Sequence, residues 1–179
     1  AHRELAQLRQ VLEETQAQCR RLAHGQYGAT VTGEGLIGAL RSLARRESAR
    51  SPIVCVYQGP RRLRRPMPDE VSHHLYRVAQ EAVGNAVRHS GGTRIQVRLR
   101  VGPDGVTLTV RDDGRGLGAG GCGPGCGIGC RTMSLRAQSL GGELRVGSAP
   151  GGGTEVWLEI PGAPGGNSQP PALQLELEG

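Results

Sequence analysis

The sequence predicts an α+β fold, a two-layer α/β sandwich with one mixed sheet. Three observations carry that expectation. Short apolar runs with strand character recur at 53–57, 93–101, 106–112, 143–148 and 154–160. Apolar residues at helical spacing occupy 34–46, 69–90 and 131–140. Tight turn sequences, Gly102-Pro103-Asp104-Gly105 and Ala149-Pro150-Gly151-Gly152-Gly153, join the last four strands into two hairpins. The resulting order is strand, long helix, hairpin, glycine loop, helix, hairpin.

Composition bounds the rest. At 179 residues the chain can bury one real core and still carry an appendage. Its 30 glycines and 11 prolines cluster in tracts without a period, which excludes a collagen-like chain. With no Phe, one Trp and three Tyr, the core must be aliphatic. No stretch approaches the ~18 apolar residues of a membrane span, and no charged-then-apolar leader opens the chain. The chain begins with Ala1 and reads as a piece of a longer polypeptide, this piece cytoplasmic. All 22 basic residues are Arg, 17 of them within residues 1–100 against 8 acids there. They are spread through helices and strands without interleaved aromatics, so a nucleic-acid partner is not expected. Five cysteines without a leader point to reduced thiols.

Each element has a local reason. Leu5, Leu8, Leu12, Thr15, Cys19 and Leu22 fall at alternating steps of three and four, a heptad seam over a helix at 3–24. The regular seam favours a partner helix. A glycine-bearing loop leads to a short helix at 34–46 carrying Leu36, Ile37, Leu40 and Leu43. The run IVCVY at 53–57 is a strand, and the arginine-rich PRRLRRP at 60–66 is a solvated turn or linker. Pro68 and Asp69 suit the first turn of the long helix, where Asp complements the helix dipole. Nine glycines among residues 114–129 predict a mobile loop, and Gly141-Gly142 stops the helix that follows it. The Pro- and Gly-rich residues 162–179 read as a disordered tail. The domains expected are therefore 1–50, helix and linker, 51–161, the folded domain, and the tail.

Four elements can carry chemistry. Glu81, Asn85 and His89 share one stripe of the long helix. A carboxylate and an amide oxygen one turn apart can hold a hydrated magnesium ion. Asp112 ends a strand and is followed by Asp113-Gly114-Arg115-Gly116, so a fixed acid can accept a hydrogen bond from an exocyclic amine beside glycines that admit a flat ring. Gly127-Ile128-Gly129 opens a helix, whose free N–H groups favour phosphate. Gly151-Gly152-Gly153-Thr154 alone is an ordinary hairpin turn.

In this order the four resemble the Bergerat-type ATP-binding fold shared by sensor histidine kinases, gyrase, heat-shock chaperone ATPases and MutL. QEAVGNAVRHS at 80–90 looks like the N box, DDGRG at 112–116 the G1 box, and GIGCRTM at 127–133 the G2 box. Met133, Arg136-Ala137, Leu140-Gly141-Gly142 and PGGGT at 150–154 are similar to the NarX/DesK-like branch of histidine kinases. Gly35-Leu36-Ile37-Gly38-Ala39-Leu40 looks like the segment joining dimerisation helix to ATPase domain in that branch.

The resemblance implies ATP and Mg²⁺ as the groups bound. By position, Asn85 would be the magnesium ligand, with Glu81 beside it orienting water or metal. Arg88 and His89 would approach the phosphates, and Gly127 and Gly129 would cradle them. Asp112 would bind the adenine amine in a pocket shaped by Gly114 and Gly116, with Thr154 lining the adenine side. The reaction implied is phosphoryl transfer to a histidine and onward to an aspartate of a response regulator. The full-length protein would be a membrane-anchored homodimer joined through a helical hairpin, of which 3–24 supplies the second helix. A serine kinase of the anti-sigma type, or a non-catalytic ATP-binding scaffold, shares the same boxes. His2, His24, His73, His74 and His89 are none of them followed by an acid, as the acceptor in that branch is. This chain is therefore expected to bind ATP·Mg without labelling itself. Three departures from the pattern stand out: no F box, Cys130 in place of an aliphatic residue, and a lid rich in Gly and Cys. Cys122, Cys126 and Cys130 are spaced by four. They are either small residues tolerated in a flexible lid, a site for zinc or an iron–sulfur cluster, or a redox switch.

Overall fold

The computed structural model describes residues 35–63, 67–117 and 127–162. The heptad helix at 3–24, Cys122, Cys126 and the tail beyond 162 lie outside the described residues. The order is α1 (Gly35–Arg50), β1 (Val54–Gln58), α2 (Asp69–His89), β2 (Arg94–Gly102), β3 (Gly105–Asp112), α3 (Ile128–Ser139), β4 (Glu143–Ser148) and β5 (Thr154–Pro161).

The five strands form one mixed sheet in the order β1-β2-β3-β5-β4, parallel only between β1 and β2. Alternation along the strands sends Ile95, Val97, Leu99, Val106, Leu108, Val110, Val156, Leu158 and Ile160 to one buried face. Register aligns them: Val97 sits opposite Val110, and Leu108 opposite Leu158. The same register carries Asp112, opposite Ile95, onto that apolar face at the end of β3. The other face presents Arg94, Gln96, Arg98, Thr107, Thr109 and Glu155. There Arg145 forks onto Glu143 at 2.7 and 2.8 Å and lies over the Trp157 ring.

Helix α2 packs the sheet with Leu75, Val78, Ala79, Ala82, Val83 and Ala86, a stripe at helical spacing. Asp69 and Glu70 in its first turn and Arg88 and His89 in its last match the helix dipole. Truncating one of these buried aliphatics, Leu75 for example, costs about 2–5 kcal/mol. Helix α1 buries Leu36, Ile37, Leu40, Leu43 and Ala44 against β1 and α2, and its Arg46 donates to the Tyr76 hydroxyl at 2.9 Å. Ser48 accepts the Cys55 N–H at 2.8 Å and donates to the Cys55 carbonyl at 3.0 Å, covering backbone groups on the free edge of β1.

Two element boundaries differ from expectation by more than one residue. The first helix runs on to Arg50, and Ser48 in the added turn is tied to the backbone of Cys55 on β1. The helix expected at 131–140 begins at Ile128, so Gly129 and Cys130 belong to its first turn instead of the glycine loop. Helical packing of Met133 and Ala137 against the core extends the helix back through residues that have low intrinsic propensity. Among the described residues no helix is long and apolar enough to cross a membrane.

Candidate active site

A cavity of about 330 Å³ opens between the C-terminal half of α2, the ends of β3 and β5, and the start of α3. Asn85, His89, Asp112, Gly116, Gly127, Gly129 and Thr154 line it together, although they come from four separate segments. Glu81, Arg88 and Gly114 do not line it. Its apolar wall comes from Ala82, Ala86, Val110, Met133, Val146 and Val156. Such a wall with a few polar groups suits a flat, partly apolar ligand.

Asp112 is the buried polar anchor, only 5% exposed. Its Oδ1 accepts the Gly114 N–H at 2.9 Å and the Thr154 N–H at 3.2 Å. Both bonds fall on one oxygen, which leaves Oδ2 as the acceptor to meet a ligand amine. Thr154 thus reaches Asp112 through its backbone. The turn before it packs just as closely: Gly153 has φ +85°, and a Cβ there would lie 1.9 Å from the Asp112 carbonyl oxygen. Only glycine fits.

Asp113, the next residue, points the other way. Its carboxylate accepts the Thr93 N–H and Arg94 N–H at 2.8 Å each, and the Thr93 hydroxyl at 2.9 Å. The Arg94 N–H, with help from Thr93, holds this carboxyl below the ordinary range. Of two adjacent acids, one serves the cavity and the other fastens the start of β2.

On α2 the polar stripe forms a small network. Arg88 Nη2 donates to Asn85 Oδ1 at 2.8 Å and lies 3.8 Å from Glu81 Oε1. Two oxygens therefore converge on one cationic nitrogen. An amide and a carboxylate oxygen around a single positive centre are also the donor set of a hydrated magnesium ion, so the residues fit that metal. Glu81 further abuts α3: a Cβ on Gly129 would lie 2.2 Å from Glu81 Oε1. The glycine at the start of the helix makes room for the acid.

Of the cysteine trio, Cys130 alone lies among the described residues, half-buried on the cavity wall, where burial pushes its thiol pKa up. Among the described residues no group of three His, Cys, Asp or Glu side chains could hold a metal ion. His73 and His74, at the other end of α2, are far along the helix from this cavity. Burial, followed by neighbouring Arg77 and Arg136 for His73, and by Arg136 for His74, lowers both imidazoles.

Ser90 and Met133 fall inside the box-like segments at 80–90 and 127–133 without a role of their own there, and Leu117 and Val146 lie outside every motif, yet all four line the cavity. The period-two burial of β4 and β5 carries Val146 and Val156 to the cavity face. Nothing local distinguishes Ser90.

Residues 70–164 match the family of histidine kinase-, DNA gyrase B- and HSP90-like ATPases. The nitrate/nitrite sensor protein NarX of Escherichia coli K12 is 35% identical over 154 residues, covering 85% of this chain and 25% of that protein. The sensor protein VraS of Staphylococcus aureus is 32% identical over 95 residues, 53% of this chain and 27% of that one. The chain thus spans about a quarter of the length of these relatives. Among solved structures, the histidine kinase domain of the Erythrobacter litoralis EL346 blue-light activated histidine kinase superposes with a TM-score of 0.59 at 28% identity. That match covers 72% of this chain and 61% of the other. The sheet, its helical layer and the polar cavity are the Bergerat-type arrangement, and the chain belongs to the histidine kinase-, DNA gyrase B- and HSP90-like ATPase family.

Proposed function

We propose that this chain is the ATP-binding catalytic core of a sensor histidine kinase, which passes the γ-phosphate of ATP to a histidine for relay to a response regulator. The observation that carries the proposal is the meeting of Asp112 and Asn85 in one cavity beside the start of α3. The names of its relatives, sensor proteins and histidine kinases, favour this reading over a serine kinase of the same fold.

Asp112 Oδ2 accepts the adenine amine, while Oδ1 stays committed to Gly114 and Thr154. The apolar wall takes the ring faces. Gly127 and Gly129 present the N-terminal end of α3 to the phosphates, where unpaired N–H groups and the helix dipole favour negative charge. Arg88 and His89, one turn from Asn85, add positive charge on the phosphate side. Asn85, with Glu81 beside it, would hold Mg²⁺. The bound ion would neutralise phosphate charge during transfer. The chain's own part is positioning and charge stabilisation. An imidazole nitrogen of the acceptor histidine attacks the γ-phosphorus, the bond to the bridging oxygen breaks, and ADP leaves.

The full-length protein is proposed to be a membrane-anchored homodimer joined through a helical hairpin, with 1–50 as partial dimerisation helix and linker, 51–161 as catalytic domain and 162–179 as tail. Incubation with γ-labelled ATP and Mg²⁺ tests the function. Acid-labile, base-stable label should appear on a supplied histidine-bearing partner and be absent from this chain alone. Hydrolysis without transfer to any histidine acceptor would overturn it.

A further inference from the structure

We infer that Ser90 is a positioning residue of the nucleotide site: it pins the end of the magnesium-side helix to the adenine-side turn. The inference rests on the ATP-site assignment above, but needs no acceptor histidine.

Ser90 caps α2, its N–H donating to the Ala86 carbonyl at 3.0 Å, and only 6% of it is exposed. Three contacts leave it for the glycine turn and its approach. Its hydroxyl oxygen accepts the Gly92 N–H at 3.0 Å. Its carbonyl accepts the Arg115 N–H at 2.9 Å. Gly114 lies so close that a Cβ there would sit 2.3 Å from the Ser90 carbonyl oxygen and 2.6 Å from the Ser90 Cβ. The neighbours repeat the pattern, since a Cβ on Gly92 would meet Asp113 Oδ1 at 2.4 Å and the Gly114 nitrogen at 2.8 Å. Residues 90–94 and 112–115 are therefore laced together.

This lacing has a functional consequence, because each strand of it leads to a ligand-facing group. Upstream of Ser90 on α2 are Asn85 and His89, and Gly114 donates its N–H directly to Asp112 Oδ1. Ser90 itself lines the cavity between them. The spacing from adenine anchor to phosphate-side stripe is therefore held by the Ser90 carbonyl and Cβ against Arg115 and Gly114, while the Ser90 hydroxyl fixes the Gly92 N–H beside Asp113 and Gly114. Alanine in place of Ser90 leaves the Gly92 N–H without its acceptor in a tightly packed spot. Gly92, packed against Asp113 and Gly114, is then free to shift, and with it the Gly114 N–H that orients Asp112.

The test measures Kd for ATP and for adenosine, together with the unfolding midpoint, in Ser90→Ala, Ser90→Thr and the parent chain. A buried hydrogen bond of ordinary strength corresponds to roughly five- to tenfold in affinity. Ser90→Ala should weaken ATP and adenosine alike by about that factor, because the adenine anchor is what loosens. Turnover at saturating ATP should change less than twofold. Ser90→Thr, which keeps the acceptor oxygen, should recover at least half of the lost binding free energy. Unchanged affinities with a lowered unfolding midpoint would reduce Ser90 to a stabilising cap and overturn the inference, and so would an ATP-only loss or no recovery in Ser90→Thr. If neither parent nor variant binds ATP, the nucleotide-site assignment itself fails, a result distinct from all of these.

Discussion

The backbone N–H of Thr154 donates to Oδ1 of Asp112 across 42 residues of sequence, at 3.2 Å. With Gly114 on the same oxygen, the acid is fixed from two sides before any ligand arrives. Asp112→Asn keeps an oxygen for those two donors but places an amide where an amine must be accepted. ATP affinity should fall at least tenfold, the equivalent of losing a charge-assisted hydrogen bond of about 1.5–3 kcal/mol. Isothermal titration with ATP checks this, and parent-like affinity would contradict the assignment of Asp112.

Gly129 and Glu81 predict a different signature. A methyl at Gly129 would collide with the end of a flexible side chain, so the acid can swing aside while the fold persists. Gly129→Ala should displace the Glu81 carboxylate from the Asn85–Arg88 network and lower turnover more than ATP affinity. Asn85→Ala should behave in the same direction. Steady-state kinetics beside direct ATP binding separates the two quantities.

Thiol chemistry distinguishes the two described cysteines. Burial, with Glu47 adding to it, raises the Cys55 thiol to about 11. A buried, protonated thiol is a poor nucleophile, so Cys55 should resist iodoacetamide until the domain unfolds. Cys130 lines the cavity and is only half-buried, so it should alkylate faster than Cys55, and ATP should slow it further. Mass-spectrometric mapping of alkylated peptides with and without ATP reads both expectations.

The paired histidines on α2 make stability sensitive to acid. Burial and the nearby arginines lower both imidazoles in the folded state, so the unfolded chain binds more protons near neutrality. Their contribution is complete above the ordinary imidazole value of about 6.5 and declines as pH falls through it. Glu70, which raises the His74 imidazole, opposes part of this effect. Urea midpoints between about pH 7.5 and 5.5 should therefore fall, and His73→Gln/His74→Gln should flatten the slope.

The sequence by itself determined the elements and the polar stripe, because both depend on short-range periodicity. Val106, Leu108 and Val110 alternate along β3, and position 112 follows in the same phase onto the buried face. Glu81, Asn85 and His89 lie one helical turn apart for the equivalent reason. The likeness of these boxes to known ATPases singled out Asn85, His89, Asp112, Gly116, Gly127, Gly129 and Thr154, which line the cavity, together with Glu81, Arg88 and Gly114, which do not. Only the tertiary structure decided that Gly129 yields space to Glu81 and that Ser90 laces Gly114 to the end of α2. Those relations join residues 24 to 48 positions apart, through glycines that have no side chain and backbone groups that every residue shares. They leave no periodic trace along the chain, since close approach is a property of two surfaces once packed and not of either segment alone.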